Sequence, residues 1–368
     1  MITIIDGTTH VDHKVRYANS LKRQDQLGGI NGYNSSLFNP VSYDLDFNIT
    51  GTLSKDEQVV LNEVDGGIWI IKPAYEYGGV GIQMVHDINS VKQALKQKQN
   101  NEQINAIQGI DIKKYGQFTL QKYIDKPLLL NNDKKFDYRC YVGYIHSDPL
   151  IAVYIPGYIR ETMVKYDPES TDLMTHIGNG KYQRGYPNYW KLLRKSSYDM
   201  RLFKEKLLNK FQELKEKDYD KLISKLKAAM TYSILSAQDK FRKKKGDVQI
   251  QGIDIVMDEK LNPYVVEFNS EPYATPDNPC FEQIFPDIFW EWVDVSMTLH
   301  QFSKEYIIAE SQKNPNFVCQ FFVRQELCQF LVNDASGYNY LQDHDIAWIV
   351  QWLGLKVLTL ATEVRILF

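Results

Sequence analysis

The segment that most restricts the fold of this 368-residue chain is a predicted β-hairpin near residue 260, QIQGIDIVMDEKLNPYVVEFNSEP. Its two arms, Val248–Met257 and Tyr264–Asn269, are rich in β-branched and aromatic residues, which favour strands. The residues between them, Asp258–Pro263, are typical of a turn. Such a hairpin predicts an antiparallel sheet with a defined register.

The register of this hairpin places acidic residues opposite each other. If the turn centres just after Lys260, Asp254 lies opposite Glu267 and Gly252 lies opposite Asn269. Two like charges that face each other across a strand pair destabilise it unless a cation lies between them. Because carboxylate and amide oxygens suit Mg²⁺, the pattern predicts a metal site at Asp254, Glu267 and Asn269.

A second row of charges lies in the segment KKFDYRCYV. Residues two apart share one face of a strand, so Lys135, Asp137 and Arg139 project together while the residues between them face the core. Burying three charges is costly, so the row predicts either a site for polyphosphate and carboxylate groups or an outward face with local ion pairs.

Two further segments have patterns that alone are ambiguous. WIIKP reads as a strand that ends in Lys72, and YEYGGVGI follows it. Glycines let backbone N–H groups approach phosphate oxygens, but the loop matches neither a Walker A motif nor GxGxxG. FTLQKYIDKP reads as a strand that runs into a turn. This second segment could present backbone groups to a purine, or it could be an ordinary edge strand. For the glycine-rich segment, the alternative to a nucleotide site is an ordinary turn between two strands.

The remaining pattern indicates strands, then helices, then strands, which favours an α+β fold over a regular βαβ barrel. The predicted helix is Ile88–Gln99, and the other predicted strands are Ile68–Lys72, Phe118–Ile124, Phe136–His146, Leu150–Ile155 and Tyr158–Val164.

Charge is distributed unevenly along the chain. The formal net charge of −3 gives no indication of a nucleic-acid-binding protein. Within Lys191–Lys245, however, 17 Lys and Arg face 7 Asp and Glu, a net of +10 that leaves −13 for the rest. The spacing of apolar residues there predicts amphipathic helices. Their basic face is either simply solvated or a docking surface for an acidic partner.

Cysteine usage and hydropathy restrict the compartment. The four cysteines show no CxxC spacing, which argues against a disulfide scaffold or a zinc ribbon and favours a reducing compartment. The first residues lack the basic region of a signal peptide. The most apolar stretch, Ile346–Leu360, contains polar residues and is shorter than the ~20 residues of a membrane span, so we expect no stable membrane insertion.

Six strings occur in an order that resembles the tubulin–tyrosine ligase-like family, a branch of the ATP-grasp superfamily. They are WIIKP…GGVGI, LQKYIDKPLLL, KKFDYRCYV, GYIRETMVKYDP, THIGNGKYQ and GIDIVMD…VVEFNSEP. The resemblance implies an α+β ATP-grasp fold, mainly antiparallel sheets with helices, that holds a nucleotide between two lobes. We expect a shortened N-terminal region (1–64), a central lobe (65–125), a C-terminal lobe (126–311) with the basic segment 191–245, and a tail of unknown structure (312–368).

The resemblance also implies roles for single residues. ATP binding is implied for Lys72, Gly79, Gly81, Gln121, Lys122, Tyr123, Ile124, Lys135, Asp137, His176 and Asn179. Catalytic contact with phosphate or carboxylate-bearing substrates is implied for Arg139 and Arg160, and Mg²⁺ binding for Asp254, Glu267 and Asn269. Gly178 departs from the family pattern, in which a threonine is usual, and its lack of a hydroxyl puts catalytic fitness in question. Only 71 residues precede Lys72, which is short for the family.

The implied activity is that of an ATP- and Mg²⁺-dependent ligase. It would join a free amino acid to a carboxylate of tubulin, or of another acidic protein tail, through an acylphosphate. Glutamate ranks first as the amino acid because of the breadth of the family, and tyrosine and glycine are alternatives. A non-catalytic microtubule-binding module and a ligase for a small acid or peptide are the other hypotheses. The expected location is the cytoplasm, at the cytoskeleton and also at the cilium or basal body.

Overall fold

The computed structural model describes residues 5–76, 78–104, 107, 109–244, 246–270 and 279–343. The helices of this part of the chain are α1 Thr9–Asp12, α2 Lys14–Gln26, α3 Lys55–Asn62, α4 Asn89–Gln99, α5 Ile112–Tyr115, α6 Gly180–Gln183, α7 Tyr189–Ser196, α8 Met200–Lys210, α9 Glu216–Ala237, α10 Pro279–Leu299, α11 Lys304–Lys313 and α12 Tyr340–Asp343. The strands are β1 Ser42–Asp46, β2 Trp69–Pro73, β3 Gln83–Val85, β4 Gln117–Lys122, β5 Phe136–Ser147, β6 Leu150–Glu161, β7 Ser197–Asp199, β8 Gln249–Met257, β9 Pro263–Asn269, β10 Phe330–Asn333 and β11 Tyr338–Asn339.

The strands form two sheets. A four-stranded sheet has the order β1-β4-β2-β3, and a seven-stranded sheet has the order β11-β10-β6-β5-β8-β9, with β7 paired to β6. Every strand pair in the described residues is antiparallel. The α+β class with antiparallel sheets, predicted from the sequence, is therefore confirmed.

The β5–β6 hairpin forms the centre of the large sheet. Both of its faces are buried, because one apolar cluster contains Tyr138 and Cys140 of β5 and a second cluster contains Tyr141 and Ile145. A strand covered on both faces is rich in apolar residues, and the run from Cys140 to Ile145 in β5 is apolar apart from Gly143.

The second arm of that hairpin corrects the prediction of two strands, Leu150–Ile155 and Tyr158–Val164. The structure has one strand, Leu150–Glu161, whose register shifts where Pro156 and Gly157 lie opposite Cys140. A bulge tolerates proline because the missing N–H is not needed for the ladder there. The apparent break in the pattern is thus a bulge within one strand.

The β8–β9 hairpin confirms the predicted register at its charged positions. Asp254 lies opposite Glu267, and Gly252 lies opposite Asn269. Nearer the turn the pairing is shifted by one residue, with Ile255 opposite Val265. An irregularity between these two parts of the ladder restores the predicted pairing at the acidic residues.

The N-terminal residues contribute to both sheets. Strand β1 pairs with β4 and completes the edge of the small sheet. Helix α2 packs against α9, and both belong with β9 to the larger apolar cluster through residues such as Tyr17 and Phe268. This packing carries the first turn of α2 to β9. The expected division into domains stays a prediction.

The basic segment is less uniform than the sequence predicts. Its helices α7, α8 and α9 are interrupted by the short strand β7, which the helical spacing did not reveal. Most of its basic side chains are exposed, but Lys225 on α9 is buried against the core. Burial lowers the pKa of Lys225 to about 8. The segment therefore presents short basic surfaces separated by buried faces.

The C-terminal tail is partly described. Strand β10 extends the large sheet by pairing with β6, so residues 330–333 belong to the core. Cys319 and Cys328 form a disulfide with a Cα–Cα distance of 5.4 Å, a single bridge that the cysteine spacing did not predict. A spacing of nine residues matches none of the patterns considered. The apolar stretch Ile346–Leu360 lies outside the described residues.

Candidate functional site

A cavity between the two sheets contains most of the residues predicted from the sequence. It encloses about 840 Å³, including space open to solvent. Of the residues to which the resemblance gives a role, it is lined by Lys72, Gly79, Gln121, Lys122, Tyr123, Ile124, Lys135, Asp137, Arg160, His176, Asn179, Asp254 and Glu267. Gly81 does not line this cavity, and Arg139 and Asn269 line a second cavity beside it.

Two buried lysines point into the first cavity from different sheets. Lys72 on β2 and Lys135, just before β5, are 6% and 5% exposed. Among the described residues neither ammonium has a carboxylate oxygen within 4.0 Å; Lys72 donates to Gln121 Oε1 at 2.7 Å and Lys135 to the Tyr123 hydroxyl at 2.8 Å. Burial lowers the pKa of Lys72 to about 8 and that of Lys135 to about 7. Two poorly compensated cations in one cleft favour an anionic ligand.

Lys135 is held by a chain of hydrogen bonds. The Tyr123 hydroxyl accepts from Lys135 and lies 2.8 Å from His176 Nδ1, while His176 Nε2 lies 2.8 Å from the carbonyl oxygen of Ser170. A carbonyl only accepts, so Nε2 carries the proton and Nδ1 accepts from Tyr123. Burial lowers the pKa of His176, which fits this neutral ring. His176 thus orients Tyr123, and Tyr123 orients Lys135.

The segment predicted to receive adenine forms one wall of the cavity. Gln121 does not reach outward, because its side chain bonds Lys72 and donates to Ser42 Oγ at 3.1 Å. The backbone N–H of Lys122 donates to Val41 O, and that of Tyr123 donates to Ile68 O. These two backbone N–H groups are therefore already hydrogen-bonded and are not available to a bound base. Gln121 positions the Lys72 ammonium by its hydrogen bond.

The glycine-rich loop closes the cavity. Gly79 and Gly81 have φ values of +81° and +72°, a region that side chains rarely adopt. A Cβ on Gly79 would lie 2.4 Å from the ring of Tyr182, whose hydroxyl donates to Gly79 O. Tyr182 was given no role from the sequence, although it lies within the quoted THIGNGKYQ string. Its ring and hydroxyl hold the loop against helix α6.

A network of charges connects β5, β6 and β8. Arg139 donates to Asp254 from Nε at 2.6 Å and from Nη2 at 3.0 Å. Arg160 donates to Asp137 at 2.5 Å and to Asp254 at 2.8 Å. Burial alone would raise the pKa of Asp254, but the two guanidinium groups outweigh it and lower the pKa to about 2. The predicted Lys-Asp-Arg row is therefore inward-facing.

Glu267 has a cationic partner that the sequence analysis missed. Lys14 Nζ, at the start of α2, lies 3.0 Å from Glu267 Oε1 and donates to Glu76 O of the glycine-rich loop at 2.9 Å. No motif around Lys14 indicates this contact. Protein cations thus neutralise both acidic residues of the hairpin, with arginines at Asp254 and Lys14 at Glu267. The facing carboxylates therefore do not need a metal ion to relieve their repulsion.

The residues present nevertheless fit a hard cation. Asp254, Glu267 and Asn269 line one cavity and supply oxygen ligands of the kind that Mg²⁺ prefers. Among the described residues, the Nδ2 atom of Asn269 is buried without a hydrogen-bond partner. This group is a donor, so it fits an acceptor such as a phosphate oxygen beside the ion. The described residues contain no group of three or more His, Cys, Asp and Glu side chains able to hold a metal, so ligand phosphates would complete the shell.

Gly178 has a steric reason in this chain. A Cβ at this position would lie 2.6 Å from Asp137 Oδ2 and 2.6 Å from Arg160 O. Real Cβ contacts are not this short, so a larger residue would have to displace the Asp137–Arg160 pair. Glycine at position 178, where the family usually has threonine, therefore leaves room for Asp137 to lie close to the backbone.

The second cavity adjoins the first and is larger, about 2040 Å³ including space open to solvent. The two share Arg160, Asn179, Asp254 and Glu267. Its other residues with charged or polar side chains include Arg139, Glu161, Lys181, Arg184, Ser196 and Ser197. A ligand held at the shared residues could be approached from either cavity.

Comparisons with known proteins agree with the resemblance. A model of the tubulin-tyrosine ligase family matches residues 2–306. The protein polyglycylase TTLL10 of Rattus norvegicus is 25% identical over 67% of this chain, and tubulin glycylase 3C of Tetrahymena thermophila is 28% identical over 58%. A relative from Homo sapiens with the name inactive polyglycylase TTLL10 is 27% identical over 62%. The chain spans 37%, 19% and 34% of the lengths of these three relatives, respectively.

None of the helices in the described part of the chain combines the length and the apolar character that crossing a membrane requires.

Proposed function

The chain belongs to the tubulin-tyrosine ligase family, and we propose that it uses ATP to join an amino acid to a carboxylate of an acidic protein such as tubulin. The observation that carries this proposal is the pair of buried lysines, Lys72 and Lys135, which enter one cleft without a carboxylate partner among the described residues. Such a pair attracts a polyanion, because the bound anion forms ion pairs with the two ammonium groups and compensates for the solvation that they lose on burial.

Different parts of the cleft would hold different parts of the nucleotide. Lys72 and Lys135 would hold phosphates beneath the loop at Gly79, and the wall from Gln121 to Ile124 would receive the base. Asp254, Glu267 and Asn269 would hold Mg²⁺, which neutralises phosphate charge when bound. These assignments remain proposals, and the common lining of the cavity supports them.

The chemistry needs no nucleophilic side chain. A carboxylate oxygen of the acceptor attacks the terminal phosphorus of ATP, ADP leaves, and an acylphosphate forms. The free amine then attacks the acyl carbon, phosphate leaves, the amine loses a proton, and an amide remains. Arg160 lines both cavities and Arg139 lines the second one, and the two guanidinium groups would stabilise the anionic oxygens in both steps.

The acceptor is proposed to approach through the second cavity. Leu193 and Ser196 of α7 line it, and Lys191 and Arg194 of the same helix are exposed. A positive surface beside the cavity would steer an acidic tail toward Arg139 and Arg160, and this would place the protein at the cytoskeleton. This use of the basic segment remains a proposal.

Glycine is the amino acid that we now propose first. The relatives reported above are named as glycylases or polyglycylases, so the earlier preference for glutamate finds no support among them. Identities of 25–28% do not carry a substrate from one protein to another, and glutamate and tyrosine remain to be tested.

The test incubates purified protein, ATP, Mg²⁺ and tubulin with labelled glycine, glutamate or tyrosine in parallel. We expect incorporation of glycine, its loss in Lys72→Met and Lys135→Met, and no change in Lys126→Met, which removes an exposed lysine from a nearby turn. Full incorporation by both cleft variants would contradict the assignment of the cleft.

A non-catalytic binding module is the second candidate, and one observation favours it. The carboxylates of the hairpin are already paired with Arg139, Arg160 and Lys14. A protein that binds ATP and tubulin but incorporates none of the three amino acids would support this alternative. Replacing Lys191, Arg194 and Lys195 by Glu should weaken tubulin binding in either case, because other residues of their helix, α7, line the second cavity. The same change at Lys215, Lys217 and Lys221 should weaken it less, because no residue between 215 and 221 lines either cavity.

A further inference from the structure

Lys14 contacts two parts of the cleft at once. Its ammonium lies 3.0 Å from Glu267 Oε1 on β9 and 2.9 Å from Glu76 O, which begins the glycine-rich loop. Its side chain is 11% exposed, so the pair is largely screened from water. The ring of the preceding residue, His13, lies 4.9 Å from that of Tyr75, which adds a second contact between α2 and the loop.

The position of Lys14 conflicts with a cation at Glu267. Lys14, Lys72 and Glu267 line one small cavity, so a divalent ion held by Glu267 would lie beside the Lys14 ammonium. Two cations on one carboxylate oxygen repel each other, and Asp254 offers little relief because both of its oxygens accept from arginine. An ion that takes Oε1 of Glu267 therefore competes with the Lys14 ammonium for that oxygen.

We propose that Lys14 is a positioning residue whose ammonium holds Glu267 and the glycine-rich loop together until a nucleotide-bound divalent cation displaces it from the carboxylate. The proposal rests on the nucleotide site proposed above. It makes α2, which lies outside the quoted family strings, part of the control of that site.

The test measures binding and does not depend on ligase activity. Electron paramagnetic resonance follows Mn²⁺, which prefers the same oxygen ligands as Mg²⁺, with the nonhydrolysable ATP analogue AMPPNP. Lys14→Met should bind Mn²⁺ at least about fivefold more tightly than the wild type, because a coupling of 1–3 kcal/mol corresponds to a factor of 5–150. Lys14→Arg, which keeps the charge, should restore an affinity close to that of the wild type.

Lys22→Met is the matched control. Lys22 lies on the same helix and pairs with Asp56 Oδ2 at 2.6 Å, but it lines neither large cavity. Its replacement should leave Mn²⁺ affinity unchanged. Lys14→Gln provides a second neutral variant if Lys14→Met does not fold, as judged by circular dichroism, and the same gain is expected of it.

The outcomes separate the exchange from the nucleotide site. Unchanged or weaker Mn²⁺ binding in the neutral Lys14 variants overturns the exchange while the site stands. Absence of Mn²⁺–AMPPNP binding by the wild type overturns both. In a Glu267→Gln background, studied at millimolar Mn²⁺, Lys14→Met should bring no gain; an equal gain there would show a general charge effect and overturn the exchange at Glu267.

Discussion

Replacing Lys135 by Met should stabilise the ligand-free protein, and the gain should shrink as pH rises. Burial lowers the pKa of Lys135 from the ordinary 10.5 to about 7, because the hydrogen bond to the neutral Tyr123 hydroxyl does not replace the lost solvation of the ammonium. A factor of ten in a proton equilibrium is about 1.4 kcal/mol, so keeping this lysine charged costs the folded state up to about 5 kcal/mol.

The sign of the pH dependence follows from the two pKa values. Below pH 7 the lysine is protonated in both states, and the whole cost is present. Between pH 7 and 10.5 the unfolded chain binds more protons than the folded protein, so wild-type stability rises with pH. The cost falls to about 2 kcal/mol at pH 9, which makes the pH-dependent part about 3 kcal/mol between pH 6 and pH 9.

Urea denaturation of the wild type, Lys135→Met and Lys126→Met at pH 6, 7.5 and 9 measures this effect. The lost hydrogen bond to Tyr123 costs the Met variant about 1 kcal/mol at every pH and does not alter the trend. A difference between wild type and Lys135→Met that stays constant from pH 6 to pH 9 would refute the claim that Lys135 is held as a strained buried cation.

Three other results should follow from the same site. Nucleotide affinity should fall by a factor on the order of 10² between pH 7 and pH 9, because Lys72 and Lys135 lose protons there, as isothermal titration calorimetry would show. Asp254→Asn should destabilise the protein by about 3–5 kcal/mol in urea denaturation, since it leaves two buried arginines without their shared carboxylate, whereas Glu267→Gln, 23% exposed, should cost about 1 kcal/mol or less. Gly178→Thr should lower stability by about 1–3 kcal/mol by displacing Asp137, and a gain in stability would contradict the contact described for Gly178.

The sequence predicts those parts of the site in which charged residues occur at the regular spacing of a strand or a hairpin. Alternation along β5 placed Lys135, Asp137 and Arg139 on one face, and the structure brings all three to the joined cavities. The predicted centre of the β8–β9 turn placed Asp254 opposite Glu267, and the structure has this pairing, with a bulge between Asp254 and Ile255 that the sequence did not reveal. In both cases the determining contacts are within one strand or one hairpin, where sequence separation is short.

The contacts that the sequence did not reveal join distant segments. Lys14 reaches Glu267 across 253 positions, and Tyr182 reaches Gly79 across 103. Nothing in the spacing near Lys14 marks it, since it is one of several basic residues on an amphipathic helix whose apolar face packs into the core. Likewise, the sequence predicted a break in β6 where the structure has a bulge, because the position of a bulge depends on the partner strand.

The charged hairpin shows where an electrostatic argument from sequence reaches its limit. Facing carboxylates require positive charge nearby, and this requirement holds in the structure. It does not specify the source of the charge, because guanidinium, ammonium and a metal ion satisfy it equally. Arginines from adjacent strands neutralise Asp254 permanently through several hydrogen bonds, whereas Glu267 has one ammonium that comes from a separate helix. The two halves of one pair therefore differ in how readily their cation can be exchanged, and the exchangeable half, Glu267, is the one where a metal ion would enter.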